Sequence, residues 1–477
     1  MRTTTLRFFV FLCTVMQLLA KVSAAQCPKY VVRQFAQLLD HNSTNKTTFH
    51  QSYQLDTSRY KPGGPILFYQ GAESSQINCL EYNHFDDIAG ELGAIVAGLE
   101  HRFFGDSFPA GVGIANVTAK DFAVLTLENV LLDAVNFVNW VKQTVAGASN
   151  AKVVINGGSY GGFLATVART QHPETFYAAW ASAPPLSAFG SQADNPDRFN
   201  RWDYISRVFQ DQSFEASTKI SKAMYDFESC AISEEACNSI SGKFHLCGPQ
   251  PANSTEWLEL YSAVESAYTY ATQFNSRIPT SFPISLPLQH ILNQTLQVND
   301  TGSILRIPAM LLNWQLNQSQ CLDWKSPNIT GGAVADVAMK SWEWIECNYM
   351  IYNIFSVRNG SMFPPQNVPV TCAVPEWTGP HFNESSQYWI NTFDVSKERL
   401  ESVGRLLITQ QGYDPTTAYG PPTFDMPTSS NSTRIVFMPG LSHTEDFFSN
   451  IGEPVGFNSE LDLVQNTITE IIKGWLA

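Results

Sequence analysis

The chain has 477 residues, 44% hydrophobic and 15% charged, a composition that supports a large buried core and excludes a disordered chain. That length is too great for one ordinary domain, so a core with a large insertion or a second domain is expected. Its 43 acidic against 29 basic residues give a formal charge of −14, which argues against a nucleic acid or an anionic membrane surface as partner.

The N-terminus reads as a targeting segment. Arg2 and Arg7 precede an apolar run from Phe8 to Ala20, and the small residues Ser23, Ala24 and Ala25 follow as a cleavage site, so residues 1–25 are expected to be a signal peptide. The run is short for a membrane span, and no later stretch is long enough either. Of the 9 cysteines, Cys13 leaves with this segment, and the even remainder (Cys27, Cys79, Cys230, Cys237, Cys247, Cys321, Cys347 and Cys372) suits disulfides in an exported protein. N-x-[ST] sequons recur from Asn42 to Asn431. Together these place the protein outside the cell or in the lumen of the secretory and vacuolar-lysosomal pathway.

Short apolar runs at Pro65–Tyr69 and Ala94–Leu99, bounded by glycines, read as buried strands. Apolar residues at Leu127, Val130, Leu131, Ala134, Phe137, Val138 and Val141 fall at helical spacing. Val153–Ile155 reads as a further strand and runs into a glycine-rich turn. Near the other end, Arg405–Thr409 and Arg434–Met438 read as strands. A closing helix carries Val464, Ile468, Ile471, Ile472 and Trp475 on one face. Strands alternating with helices predict a mostly parallel sheet, and the G-x-S-x-G turn at Gly157–Gly161, directly after the strand Val153–Ile155, points to an α/β-hydrolase core. The stretch 188–394 differs: it holds Cys230 to Cys372, most of the sequons and Trp- and Tyr-rich helical patterns. It reads as a largely helical, disulfide-containing cap inserted between core segments 26–187 and 395–477.

Gly157-Gly158-Ser159-Tyr160-Gly161 matches G-x-S-x-G. At ordinary Gly and Ser frequencies that pattern arises by chance in about one of six chains this long, so its setting matters more than the match. A strand leads in and an apolar helical segment leads out, as a nucleophile elbow requires. Ser159 is therefore the candidate nucleophile. The Tyr160 N–H, at the helix N-terminus, lies where an oxyanion develops. A second N–H is expected from the loop after the early strand, Gly71-Ala72-Glu73, with Ala72 as donor.

A serine hydroxyl needs a base, and the base an orienting acid, in the chain order Ser, Asp or Glu, His. Behind the insertion only one histidine remains, His443, directly after the strand ending at Met438. Asp414 follows the strand before it. Of its rivals, Asp425 sits in a Pro-rich loop with no strand ahead of it, and Asp446 comes after the histidine. Such chemistry needs neither metal nor organic cofactor, and no H-E-x-x-H, G-x-G-x-x-G or P-loop pattern occurs.

Gln37-Leu38-Leu39-Asp40-His41, Phe68-Tyr69-Gln70-Gly71-Ala72-Glu73, Glu100-His101-Arg102-Phe103-Phe104-Gly105, Gly157-Gly158-Ser159-Tyr160-Gly161-Gly162 and Trp342-Glu343-Trp344-Ile345-Glu346-Cys347 resemble the serine peptidase family of lysosomal Pro-Xaa carboxypeptidase, dipeptidyl peptidase II and the fungal acid prolyl endoproteases. The resemblance implies a peptide or protein substrate cleaved after proline, a triad on Ser159, Asp414 and His443, and pairing of Cys347 with Cys372. The chain departs from that family at Thr416, where Trp is usual, at Ser442 before the base, and at Ala72, where Asn or Gly is frequent. The same fold also hosts esterases and lipases, and a secreted binding glycoprotein without activity is the reading from another class.

Overall fold

The computed structural model describes residues 27, 29–74, 77–109, 117–192, 195–230, 240, 243–277, 284–317, 321–322, 324, 337–372, 374–421, 432–449 and 459–477. The expected signal segment, Cys237 and Asp425 lie outside these.

The strands β1 (Arg33–Leu38), β2 (Thr48–Asp56), β3 (Ile66–Gln70), β4 (Ile95–Leu99), β5 (Val153–Gly158), β6 (Ala178–Ser182), β7 (Leu406–Gln411) and β8 (Arg434–Met438) form one sheet, ordered β1-β2-β4-β3-β5-β6-β7-β8. β2 pairs antiparallel with β1 and β4, and from β4 to β8 every pairing is parallel. This is the α/β-hydrolase architecture. The central strands are buried on both faces, which is why they read as unbroken apolar runs.

Alternate residues divide between two cores. Phe68, Ala97, Ile155, Ala181 and Ile408 face the helices α2 (Leu127–Thr144) and α3 (Tyr160–Gln171). Leu67, Val96, Val154, Trp180 and Leu407 face α1 (His84–Leu92) and the terminal helix. The periodic segment from Leu127 is α2, started by the Thr126 hydroxyl accepting the Asn129 N–H at 3.1 Å.

Between β6 and β7 the regular elements are helical: α4 (Asn200–Gln212), α5 (Phe214–Cys230), α6 (Ser254–Gln273), α7 (Pro287–Leu296), α8 (Thr301–Asn317), α9 (Val337–Asn348), α10 (Ser386–Thr392) and α11 (Lys397–Val403). Ile205, Phe209, Ile220, Leu260, Val264, Ile291 and Leu305 form a separate apolar cluster. Trp342 and Ile345 of α9 belong instead to the cluster on the sheet. The inserted stretch therefore splits: its first helices bury one another, and α9 packs on the core. The described disulfides are Cys27–Cys79, Cys247–Cys321 and Cys347–Cys372, the last being the pairing the resemblance implies. α12 (Ser459–Leu476) buries Val464, Ile468, Ile472 and Trp475 along one face.

Candidate active site

Because β5, β7 and β8 run parallel, the loops that follow them open at one rim of the sheet. Ser159 follows β5, Asp414 follows β7 and His443 follows β8.

Ser159 holds φ 57° and ψ −125°, a conformation that non-glycine residues rarely adopt. Its N–H donates to Ser182 O at 2.8 Å and its carbonyl accepts the Phe163 N–H at 3.0 Å, so β6 on one side and α3 on the other fix the turn. The turn is tight: a Cβ on Gly157 would lie 2.1 Å from Gly161 O. The Ser159 side chain thus stands at the head of α3, with only 9% of the residue exposed.

Asp414 is fully buried. Its Oδ1 accepts the Thr416 N–H at 2.9 Å, and its Oδ2 accepts from Nδ1 of His443 at 2.6 Å. This selects the tautomer that leaves Nε2 as the free face of the ring. The described hydrogen bonds do not include one between Ser159 Oγ and His443. The two loops nevertheless touch, since a Cβ on Gly158 would lie 3.1 Å from Cγ2 of Thr444. The described hydrogen bonds of Asp446 go not to His443 but to Ser182 of β6 and to Thr409 and Gln411 of β7.

Ala72 and Tyr160 border the elbow from the other side. A Cβ on Gly161 would sit 3.3 Å from that of Ala72, which brings the β3 loop against the first turn of α3. The Tyr160 ring meets Trp342 edge-on at 5.0 Å, and its hydroxyl is 3.1 Å from Nε2 of His101. Burial lowers the His101 pKa to about 4, so this ring is neutral. Its Nδ1 donates to the Arg102 carbonyl at 2.7 Å, leaving Nε2 to accept from Tyr160.

Three neighbours of the site carried little or no sequence signal. Glu73 is buried beside it; burial raises its pKa to about 7, against the opposing pull of His443. Glu346 is pushed well above the carboxylate range, first by burial and then by Glu343. Acidic residues directly after a buried strand and inside an aromatic helix were the only hints of this. Gln273, the last residue of α6, accepts the His443 backbone N–H through its carbonyl at 2.8 Å, and a backbone contact of that kind has no sequence signature.

A buried carboxylate–imidazole pair, a strained serine at a helix N-terminus and backbone donors beside it are the components of acyl transfer to water. The sequence profile of the serine carboxypeptidase S28 family matches residues 37–386. Over 466 residues the chain is 26% identical to lysosomal Pro-X carboxypeptidase of Bos taurus, spanning 94% of this chain and 88% of that one. It is 28% identical to lysosomal Pro-X carboxypeptidase of Homo sapiens over 358 residues, 72% of this chain and 69% of that one. Serine protease vicPb of Bipolaris victoriae (strain FI3) is 26% identical over 351 residues, 67% of this chain and 63% of that one. The chain belongs to the serine carboxypeptidase S28 family and is a serine-type peptidase.

Proposed function

We propose that the chain hydrolyses peptide bonds after proline, in an exported or lumenal compartment, with Ser159 as nucleophile, His443 as general base and acid, and Asp414 as the group that orients the imidazole. The observation that carries this reading is the buried 2.6 Å hydrogen bond between His443 Nδ1 and Asp414 Oδ2, at the rim where Ser159 is held at φ 57°. With Nδ1 committed to Asp414, Nε2 takes the serine proton as Oγ attacks the carbonyl carbon, and returns it to the leaving nitrogen. The backbone N–H groups of Tyr160 and Ala72 stabilise the oxyanion. Water then attacks the acyl-enzyme by the same proton route.

The preference for proline is carried over from relatives named as Pro-X carboxypeptidases. Residues 188–394 act as the cap over the rim, with α6 reaching His443. Export accords with the disulfides and with Asn42, Asn45, Asn253, Asn293, Asn299, Asn359 and Asn383, sequon asparagines that are all exposed. No helix of the described residues is long and apolar enough to cross a membrane.

A fluorophosphonate probe should label the protein at Ser159 and fail to label Ser159→Ala. A proline anilide should be cleaved in preference to a short fatty-acyl ester, and product masses from one proline-containing peptide distinguish terminal trimming from internal cleavage. Equal labelling of Ser159→Ala defeats the assignment of the nucleophile, and preference for the ester defeats the assignment of proline peptides as the substrate.

A further inference from the structure

The loop that carries His443 is tied to the sheet by one carboxylate that the proposed mechanism does not use. Asp446 is fully buried in the 3₁₀ turn Glu445–Phe447. Its Oδ1 accepts from the Ser182 hydroxyl at 2.7 Å and from Nε2 of Gln411 at 2.5 Å, and its Oδ2 accepts from the Thr409 hydroxyl at 2.6 Å.

These donors are the residues that place the other two members of the site. Ser182 pairs with Gly158 across the β5–β6 ladder, and its carbonyl accepts the Ser159 N–H at 2.8 Å. The Gln411 carbonyl accepts the Asp414 N–H at 3.2 Å. Thr409 is the β7 residue paired with Ser182. Of the two hydroxyls, Ser182 Oγ also accepts from Gln411 at 3.0 Å and Thr409 Oγ1 from the Trp180 indole at 3.2 Å, and the alternative acceptor for the Thr409 hydroxyl, the Ala181 carbonyl, is more distant at 3.5 Å than Asp446 at 2.6 Å. Their protons point to Asp446, and the site is built for an acceptor-only carboxylate.

We infer that Asp446 is the positioning residue of the catalytic site, a single buried carboxylate joining the His443 loop to the strands that deliver Ser159 and Asp414. The inference rests on the Ser-His-Asp reading above. It makes the spacing of base and nucleophile a property of this hub. Reacting groups misplaced by about 1 Å lose rate on the order of a hundredfold.

The test is Asp446→Asn, with Thr409→Val as a milder second variant that removes one donor. Each is compared with wild type by kcat and KM on a proline anilide, by titration of active sites with a fluorophosphonate, and by thermal unfolding. Turnover per titrated site should fall roughly tenfold or more in Asp446→Asn and severalfold in Thr409→Val, with KM within about threefold of wild type. A merely structural role would lower the number of titratable sites and leave turnover per site unchanged, and that result overturns the inference. If Asp446→Asn does not fold, unchanged turnover per site in Thr409→Val overturns it equally. Failure of the parent reading looks different: wild type itself would not be labelled at Ser159, or Ser159→Ala would remain active.

Discussion

The carbonyl of Gln273 accepts the backbone N–H of His443 at 2.8 Å, so the loop bearing the proposed base is held by an inserted helix as well as by the sheet. Phe274 lies edge-on to the His443 ring at 6.0 Å, and Ser276 donates to Glu445 at 3.2 Å, continuing the contact on both sides. Arg201 of α4 secures this junction. It is 2% exposed and donates to the Tyr419 hydroxyl at 2.8 Å and to Oε1 of Gln273 at 3.3 Å.

Arg201→Ala should therefore act on both stability and catalysis. It leaves two buried acceptors without their donor and opens a cavity, costing about 3 kcal/mol of stability in urea titration. The His443 loop loses its upper support, and kcat should fall roughly tenfold in the fraction that remains folded. Full turnover in that fraction would show that the junction is indifferent to the base.

Asp414→Asn preserves shape but changes the hydrogen bond to Nδ1 of His443 from carboxylate to amide. The imidazole then loses both its tautomer preference and the charge that stabilises its protonated form. We expect kcat to fall by about 10³–10⁴ with KM little changed, measured at the pH optimum of wild type. A loss below about tenfold would place the orienting acid elsewhere.

Stability should peak in acid. Burial raises Glu73 and Glu100 to about 7 and Glu265 to about 8 from the ordinary 4.5. Between those values the folded chain holds protons that the unfolded chain has released, so this stabilisation is complete below about 4.5 and is lost as pH rises to about 8. His101 opposes it, because its depressed pKa withdraws stability as pH falls from 6.5 toward 4. Asp86 sets the lower limit: burial raises it, but hydrogen bonds from Lys29, Tyr30 and Arg59 outweigh burial and lower its pKa, so its contribution disappears below the ordinary 3.8. These raised carboxyls, with Glu346 among the groups that burial also raises, outweigh one histidine. Tm should fall by roughly 5 °C or more between about pH 4.5 and pH 8. A Tm that rises over that interval would contradict these burial effects.

The core strands were legible where burial on both faces leaves an apolar run, as in β3, β4 and β5. β8 is legible to the residue because Arg434 opens it and Pro439 stops it. β2 was not, because Gln51, Ser52 and Gln54 are buried in its middle: Gln51 donates to the Glu100 carbonyl at 2.7 Å and Gln54 to the Tyr30 carbonyl at 2.9 Å. Polar residues satisfied inside the core erase the alternation that marks a strand. β6, with the sequence Ala-Ala-Trp-Ala-Ser, was hidden by alanines of low strand propensity. The adjacency of Asp414 and His443 was legible because two parallel strands end side by side, so chain order alone fixes which loops meet. Glu73, Gln273 and Asp446 were not, since each acts through a contact set by tertiary packing.

The Glu-His-Arg segment after β4 has a physical reason that can be tested at Arg102. This residue is fully buried, and every guanidinium nitrogen has a partner. Nε and Nη2 donate to the two carboxylate oxygens of Asp133 at 2.6 Å each. Nη1 donates to the carbonyls of Leu39 and Val124 at 2.9 and 2.8 Å, and Nη2 also to Leu38 at 3.1 Å. One planar fork thus fastens the end of β1 and the entrance to α2 to the β4 loop. Lysine keeps the charge but gathers its donors on one nitrogen, so it cannot span both carboxylate oxygens and three carbonyls. Arg102→Lys should cost about 3–5 kcal/mol, read from the urea midpoint at constant m-value. Turnover per titrated site should stay near wild type, because Arg102 touches neither Ser159 nor His443. Loss of turnover without loss of stability would instead mean that a shift of this segment reaches Tyr160 through the neighbouring His101.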